Sequence, residues 1–204
     1  MTTHYFTSQE PSDHLQQHRV IIRNKEYCVY SAPGVFSARH LDKATEVLLN
    51  AFVPPSTTVA TVADIGCGWG PISLALAQEF PHAELWATDV NERALDLARL
   101  NLPKRDNIHV VHDDEAFATI EEDDVFFDVI VSNPPVRIGK KALYSLIERW
   151  AKRLHPHGEM WIVMGKHLGA DSLGVWLTQR GYTVERVGSK KGFRILCITQ
   201  GKKD

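Results

Sequence analysis

Cysteine is scarce in this chain. Cys28, Cys67 and Cys197 are an odd number, widely spaced, with no C-x-x-C pair, which excludes a disulfide framework and a cysteine zinc site. Long apolar runs are missing too. No stretch of eighteen apolar residues occurs, and Met1 to Asp13 is polar without a hydrophobic signal region, so neither a membrane span nor a secretory leader is expected, and the reading is a cytoplasmic protein. A surplus of one charge is also absent. The formal net charge of -2 gives no global attraction to nucleic acid, so any such binding must come from local basic segments. The chain has 204 residues, 44% hydrophobic and 24% charged, enough to bury one full core.

The pattern then divides the chain. Residues 1–17 read as a flexible arm, 18–200 as a single domain opening with a hairpin region over 18–40, and 201–204 as a tail. His18–Arg23 and Glu26–Tyr30 form the hairpin strands around an Asn24-Lys25 turn. Apolar residues at helical spacing from Leu41 to Phe52 predict a helix stopped by Pro54-Pro55.

Short apolar runs follow at Val59–Ile65, Glu84–Thr88, Ile108–His112, Phe126–Ser132 and Glu159–Met164. Amphipathic stretches separate them at Pro71–Gln78, Asn91–Leu100, Lys140–Leu154 and Ala170–Gln179. Strands alternating with helices imply a parallel sheet covered on both faces. Thr183–Val187 and Phe193–Thr199 are separated only by Gly188–Gly192. That loop is too short for a crossover helix, so one antiparallel strand closes the sheet.

Two strand ends carry the chemistry. Asp64-Ile65-Gly66-Cys67-Gly68-Trp69-Gly70-Pro71 leads from strand to helix through three glycines, a loop that lets backbone approach a ligand. Its third glycine is one place early for a nicotinamide fingerprint, where Pro71 stands instead. Asp89 ends the next strand, where a carboxylate accepts from both ribose hydroxyls. Asp64 is placed to hold a cofactor ammonium, directly or through water. Asp113 and Asp114 follow the third strand. One of them can accept from an adenine amine, and equally both can belong to the solvated acidic run through Asp124.

The fourth strand ends Ser132-Asn133-Pro134-Pro135. Proline disfavours helical geometry in the residue before it, so Asn133 is held extended and the Pro134 carbonyl has a fixed direction. An asparagine oxygen and a fixed carbonyl suit one task, accepting both protons of a planar NH2 so that the nitrogen lone pair turns toward an electrophile. Taken alone, the same tripeptide can simply turn the chain.

These motifs resemble class I methyltransferases that modify exocyclic or amide nitrogens. Pro33-Gly34-Val35-Phe36-Ser37, Leu41-Asp42-Lys43-Ala44-Thr45 and Asn133-Pro134-Pro135-Val136-Arg137-Ile138-Gly139-Lys140 more narrowly resemble the small-domain methyltransferases that include bacterial 16S ribosomal RNA guanine-N2 enzymes. The resemblance implies a Rossmann-like α/β fold with a seven-stranded, mostly parallel sheet. It also implies S-adenosylmethionine as cofactor and ribosomal RNA or the small ribosomal subunit as partner.

The cofactor set it gives is Asp64, Gly66, Gly68, Gly70, Asp89, Asp114 and Thr45. Asn133, Pro134 and Pro135 are the catalytic set, and Phe36, Val136, Arg137 and Lys140 meet the substrate. Ala44 stands where the family usually has glycine, and Val136 where an aromatic residue commonly stacks on the base, which leaves Phe36, Trp69 or Phe193 for that role. A monomer is favoured, and the oligomeric state stays open.

Arg137, Lys140, Lys141, Arg149, Lys152 and Arg153 form one basic segment, and Arg186, Lys190, Lys191 and Arg194 a second. Both can flank the strand-end cleft, although Arg149, Lys152 and Arg153 fit a solvated helix face better. No metal site is expected, since His109 with His112 and His155 with His157 lack a cysteine or carboxylate scaffold. Three other functions share parts of this pattern. They are methylation of a protein glutamine amide, RNA binding on a non-catalytic scaffold, and a nicotinamide oxidoreductase, the last weakened by Pro71.

Overall fold

The computed structural model describes residues 15–33, 35 and 40–201. In chain order the elements are β1 (Gln16–Ile22), β2 (Lys25–Ser31), α1 (Lys43–Ala51), β3 (Thr61–Ile65), α2 (Pro71–Glu79), β4 (Glu84–Asp89), α3 (Glu92–Asn101), β5 (Ile108–His112), α4 (Asp113–Glu122), β6 (Phe127–Ser132), α5 (Lys140–Ala151), β7 (Leu154–Gly165), α6 (Ala170–Thr178), β8 (Tyr182–Lys190) and β9 (Phe193–Gln200). Strands β1 and β2 pair as a separate antiparallel hairpin. The other seven form one sheet in the order β5-β4-β3-β6-β7-β9-β8. Only β9 runs against the rest, the mostly parallel sheet with one antiparallel strand that the pattern predicted.

Alternation along the strands builds two cores. Val62, Val129, Val131 and Val163 face the hairpin side with α1, α2 and α3. Ala63, Ile65, Ile130 and Ile162 face α4, α5 and α6. Successive side chains of a strand point to opposite faces, so a sheet covered on both sides needs these near-continuous apolar runs.

Several boundaries differ from the sequence reading, each for a local reason. The hairpin turn is Arg23-Asn24, both in the left-handed region at φ 46° and 63°. That geometry joins strands with their natural twist, and it moves the turn back by one residue. Strand β1 accordingly begins at Gln16, within the segment read as an arm. The closing hairpin is tighter than expected. Its turn is Lys191-Gly192, at φ 52° and 83°, and the expected loop from Gly188 is mostly strand, with a bulge between Arg186 and Gly188. The helix expected to run to Leu154 ends at Ala151, because Leu154 opens β7 opposite Phe127.

The acidic run after β5, which the sequence leaves open between an adenine acceptor and solvated chain, is the helix α4. His112 caps it, accepting from Asp114 N, and Asp113, Asp114 and Glu115 fill the first turn, where carboxylates oppose the positive end of the helix dipole. Ala116, Phe117 and Ile120 form its buried stripe.

Candidate active site

The glycine loop is pinned from both sides. Gly66 N and Cys67 N both donate to Thr88 O at 2.8 Å, and Ser132 Oγ donates to Ile65 O at 2.7 Å. Gly68 adopts φ +57° with open space where a Cβ would stand, so a ligand can lie directly on its backbone. Gly70, at φ +94°, caps α2 and sits against Ala98 of α3, whose Cα would lie 3.7 Å from an added Cβ. It therefore serves packing and does not line the cavity.

Asp89 is held by the same loop. Its Oδ2 accepts from Gly68 N and its Oδ1 from Asn91 N, each at 2.9 Å, and each carboxylate oxygen keeps a further lone pair. Asp64, the candidate for a cofactor ammonium, is fully buried at the base of the loop. Its Oδ2 accepts from Ser73 N at 2.8 Å and Ser73 Oγ at 2.5 Å, while buried Oδ1 has no partner. Burial pushes this carboxyl up to about 7, partly opposed by the two Ser73 bonds and reinforced by the charge of Asp89.

A cavity of about 650 Å³ opens at the carboxyl edge of the sheet. Gly66, Gly68 and Asp89 line one end, and Asn133, Pro134, Pro135, Val136 and Arg137 the other. Val90, 70% exposed, presents an apolar platform beside Asp89. The sequence reading brought these strand ends together correctly.

Asn133 is the most constrained polar group here. Its Nδ2 donates to Asp42 Oδ2 and to Thr45 Oγ1, each at 3.0 Å. Both amide protons are directed at the start of α1, which leaves Oδ1 as the acceptor of this amide. Asp42 Oδ2 also caps α1, accepting from Ala44 N at 2.8 Å and Thr45 N at 3.1 Å. Asp42 and Thr45 line a smaller cavity of about 40 Å³ against Gly66, Gly68 and Asn133. Asp42 was missed as a site residue, although an aspartate just before a helical stripe is a cap signal.

Of the two aspartates that follow β5, the structure brings Asp113 and not Asp114 to the cavity. Asp113 lines the large cavity and is nearly buried. Its Oδ1 accepts from Thr88 Oγ1 at 3.3 Å and Trp150 Nε1 at 3.2 Å. Asp114 is 79% exposed in its side chain and pairs with Arg149 at 3.7 Å, outside the cavity lining. Arg149, read as part of a solvated face, lies over the Phe117 ring at 3.7 Å and 3.6 Å from Asp113 Oδ2. Ala142, Ser145, Leu146 and Arg149 line the cavity, the one-sided spacing of a helix.

Of the residues expected to meet substrate, Lys140 stands 5.3 Å over the Tyr144 ring and does not line the cavity, and Phe36 lies outside the described residues. Trp69 is buried, and its carbonyl accepts from Asn101 Nδ2 at 2.9 Å. Phe193 pairs at the strand edge with Gly165 and Lys190. Neither aromatic lines the large cavity. His109 bonds Glu84 Oε2 at 2.7 Å. Among the described residues no group of three or more His, Cys, Asp or Glu can hold a metal ion, and no helix is long and apolar enough to cross a membrane.

A mostly parallel sheet with a glycine loop, a ribose-type carboxylate and Asn-Pro-Pro at adjacent strand ends defines a class I methyltransferase. Comparison with known proteins narrows this. The Methyltransferase small domain model matches residues 14–197. The chain is 34% identical over 199 residues to protein YbxB of Bacillus subtilis (strain 168), covering 96% of this chain and 98% of that one. It is 33% identical over 190 residues to Ribosomal RNA small subunit methyltransferase C of Acinetobacter baylyi, covering 89% of this chain and 54% of that one. Among solved structures, the T. thermophilus 16S rRNA N2 G1207 methyltransferase (RsmC), in complex with AdoMet and guanosine, superposes with a TM-score of 0.78 at 24% identity, covering 95% of this chain and 52% of that one.

The chain thus spans about half the length of the ribosomal RNA methyltransferases it matches. It belongs to the methyltransferase small-domain family of S-adenosylmethionine-dependent enzymes.

Proposed function

We propose that this protein is a cytoplasmic enzyme that transfers the methyl group of S-adenosylmethionine to an exocyclic base amine, the N2 of guanine in small-subunit ribosomal RNA. The observation that carries the reading is the amide of Asn133. Its two protons are held by Asp42 and Thr45, which leaves its oxygen as the acceptor that would meet a substrate amine together with the Pro134 carbonyl.

The residues present fit the cofactor. Asp89, oriented by Gly68 N and Asn91 N, receives the ribose hydroxyls. Val90 and Asp113, which line the cavity beside Asp89, would hold the adenine, and Asp64 Oδ1, a buried acceptor without a partner among the described residues, would receive the ammonium, directly or through water. When bound, S-adenosylmethionine supplies a methyl on a cationic sulfur leaving group.

The chain's own contribution is orientation. A base amine is a weak nucleophile because its lone pair is delocalised into the ring. Asn133 Oδ1 and Pro134 O accept its two protons, favour a more tetrahedral nitrogen and aim the lone pair along the transfer line. No general base is needed at the nitrogen before transfer, since the proton is acidic once the new bond has formed. The names of the ribosomal RNA methyltransferase relatives and the basic segments beside Asn133 support RNA as the acceptor.

Methyl-labelled S-adenosylmethionine, incubated with the protein and unmethylated small-subunit rRNA, tests this. Label appears in RNA, and Asn133→Ala abolishes transfer while cofactor affinity measured by calorimetry is retained. A fully active Asn133→Ala variant, or label found in protein glutamine instead of RNA, overturns the reading.

A further inference from the structure

The carboxyl edge of the sheet is divided by charge. On the cofactor half, residues 112–115 hold Asp113, Asp114 and Glu115 with no lysine or arginine, and Asp89 ends β4. On the other half, residues 133–141, 165–168 and 189–194 carry Arg137, Lys140, Lys141, Lys166, Lys190, Lys191 and Arg194 and no carboxylate at all. On a chain with a net charge of -2, these lysines and arginines gather on one half of the edge, while on the other half Arg149 is paired with Asp113 and Asp114.

Strand order makes these basic segments neighbours. They leave the ends of β6, β7 and the β8–β9 turn, and β6, β7 and β9 are adjacent. Neighbouring strands lie about 4.8 Å apart, so the Lys190-Lys191 turn is only on the order of 10 Å across the sheet from the strand that ends in Asn133. Lys166 N donates to Gly192 O at 2.9 Å, joining the two outer turns. The β8–β9 turn is a tight two-residue connection and not a floppy loop. Lys191 Nζ reaches Glu46 Oε2 of α1 at 3.4 Å, one residue beyond the Thr45 that holds Asn133. The turn is therefore tied to the helix that anchors Asn133.

Four of these cations stand without an ion pair among the described residues. Arg137, Lys141, Lys166 and Lys190 are exposed, and none is paired with a described carboxylate. Elsewhere the long cations are engaged. Arg99 pairs with Asp96, Arg153 with Asp124, and Arg180 with Glu148. Within the basic half, Lys191 is paired with Glu46 and Arg194 with Asp171. A row of exposed cations, most of them without a carboxylate partner, raises the local positive potential and attracts a polyanion.

We propose that the Lys166 turn and the Lys190-Lys191 hairpin, continued by Arg137 and Lys141, form a phosphate track. An RNA strand lies along it, with the target base turned into the cavity, while the cationic cofactor occupies the acidic half. This rests on the RNA-methylation reading above and adds where the polymer sits.

The triple variant Lys166→Gln, Lys190→Gln, Lys191→Gln tests it, with exposed positions chosen so that the fold is untouched. With unmethylated small-subunit rRNA, the variant raises KM for RNA at least ten-fold, while kcat at saturating RNA and S-adenosylmethionine affinity stay within two-fold. With a single-stranded RNA 20-mer as probe, the slope of log K against log salt becomes shallower by about 2, since each lost phosphate contact removes about 0.7. An unchanged KM and slope overturn the track. Polyglutamate that displaces the 20-mer from wild type as well as unlabelled RNA does also overturns it, in favour of an acidic protein partner. Wild type that labels no RNA refutes the function reading, and the salt slope then still decides the track by itself.

Discussion

Asn133 Nδ2 lies 3.0 Å from Asp42 Oδ2, the same oxygen that caps helix α1 through Ala44 N and Thr45 N. One carboxylate oxygen thus ties the start of a helix on the hairpin side of the sheet to the side chain that ends β6. Removing it affects two things at once, the helix cap and the direction of the Asn133 amide.

Thr45 separates anchoring from cofactor binding. Thr45→Val keeps shape and burial but removes the hydroxyl that receives Asn133 Nδ2. The expected outcome is a fall in kcat of about ten-fold, roughly the 1.4 kcal/mol of one positioning hydrogen bond, with S-adenosylmethionine affinity nearly unchanged. Asp42→Ala should show the same loss of kcat plus about 1 kcal/mol of stability from the lost cap, read by urea denaturation. A Thr45→Val variant that instead loses cofactor affinity with kcat intact would make this hydroxyl a cofactor contact.

Asp113 and Asp114 can be told apart in the same way. Asp113 is nearly buried, bonded to Thr88 and Trp150, and lines the cavity. Asp113→Asn is expected to weaken S-adenosylmethionine binding by at least ten-fold in a calorimetric titration, whereas Asp114→Asn, on an exposed side chain, changes it less than two-fold. The reverse order would restore Asp114 as the adenine-side carboxylate.

Asp64 links stability to pH in the opposite sense to an ordinary surface carboxylate. Its folded-state carboxyl titrates at about 7, above its unfolded value. The folded form therefore holds a proton that the unfolded form has released, and stability falls as pH rises from about 4 to 7 and levels off above that. Asp64→Asn removes this dependence, so the melting temperature of the variant minus that of wild type grows across the window. Cofactor binding through an ammonium favours the ionised carboxylate, so S-adenosylmethionine should raise the wild-type melting temperature more at pH 8 than at pH 5. Parallel melting curves for the two proteins would remove Asp64 from both effects.

Gly68→Ala probes the loop. The substitution forces a side chain into the left-handed region, at a cost of roughly 1–2 kcal/mol, and sets a methyl in the open space above the backbone. Cofactor affinity should drop more than ten-fold with only that modest loss of stability. A variant that binds normally would mean the ligand does not lie on this stretch of backbone.

Much of this was legible in the chain itself. Apolar runs of strand length separated by amphipathic stretches dictated a parallel sheet covered on both faces, because no other arrangement buries both sides of such strands. The run between Thr183 and Thr199, too short for a crossover, dictated the single reversed strand. Glycines between β3 and α2, Asp89 at a strand end and two prolines after Asn133 dictated where ligand and substrate chemistry meet, because those constraints act within a few residues. Helix α4 escaped because its first turn is crowded with carboxylates, which look like solvated chain until a helix dipole is there to receive them.

Only the tertiary structure decided which of two adjacent aspartates turns inward, that Arg149 reaches the cavity, and that Asp42 and Thr45 fix the Asn133 amide across 91 and 88 residues of sequence. It also set the basic turns side by side, through a strand order that puts β9 between β7 and β8. Local sequence fixes backbone geometry because neighbouring residues collide or bond directly. Which distant side chains meet depends on strand order and helix rotation, and those are settled by the packing of the whole core at once.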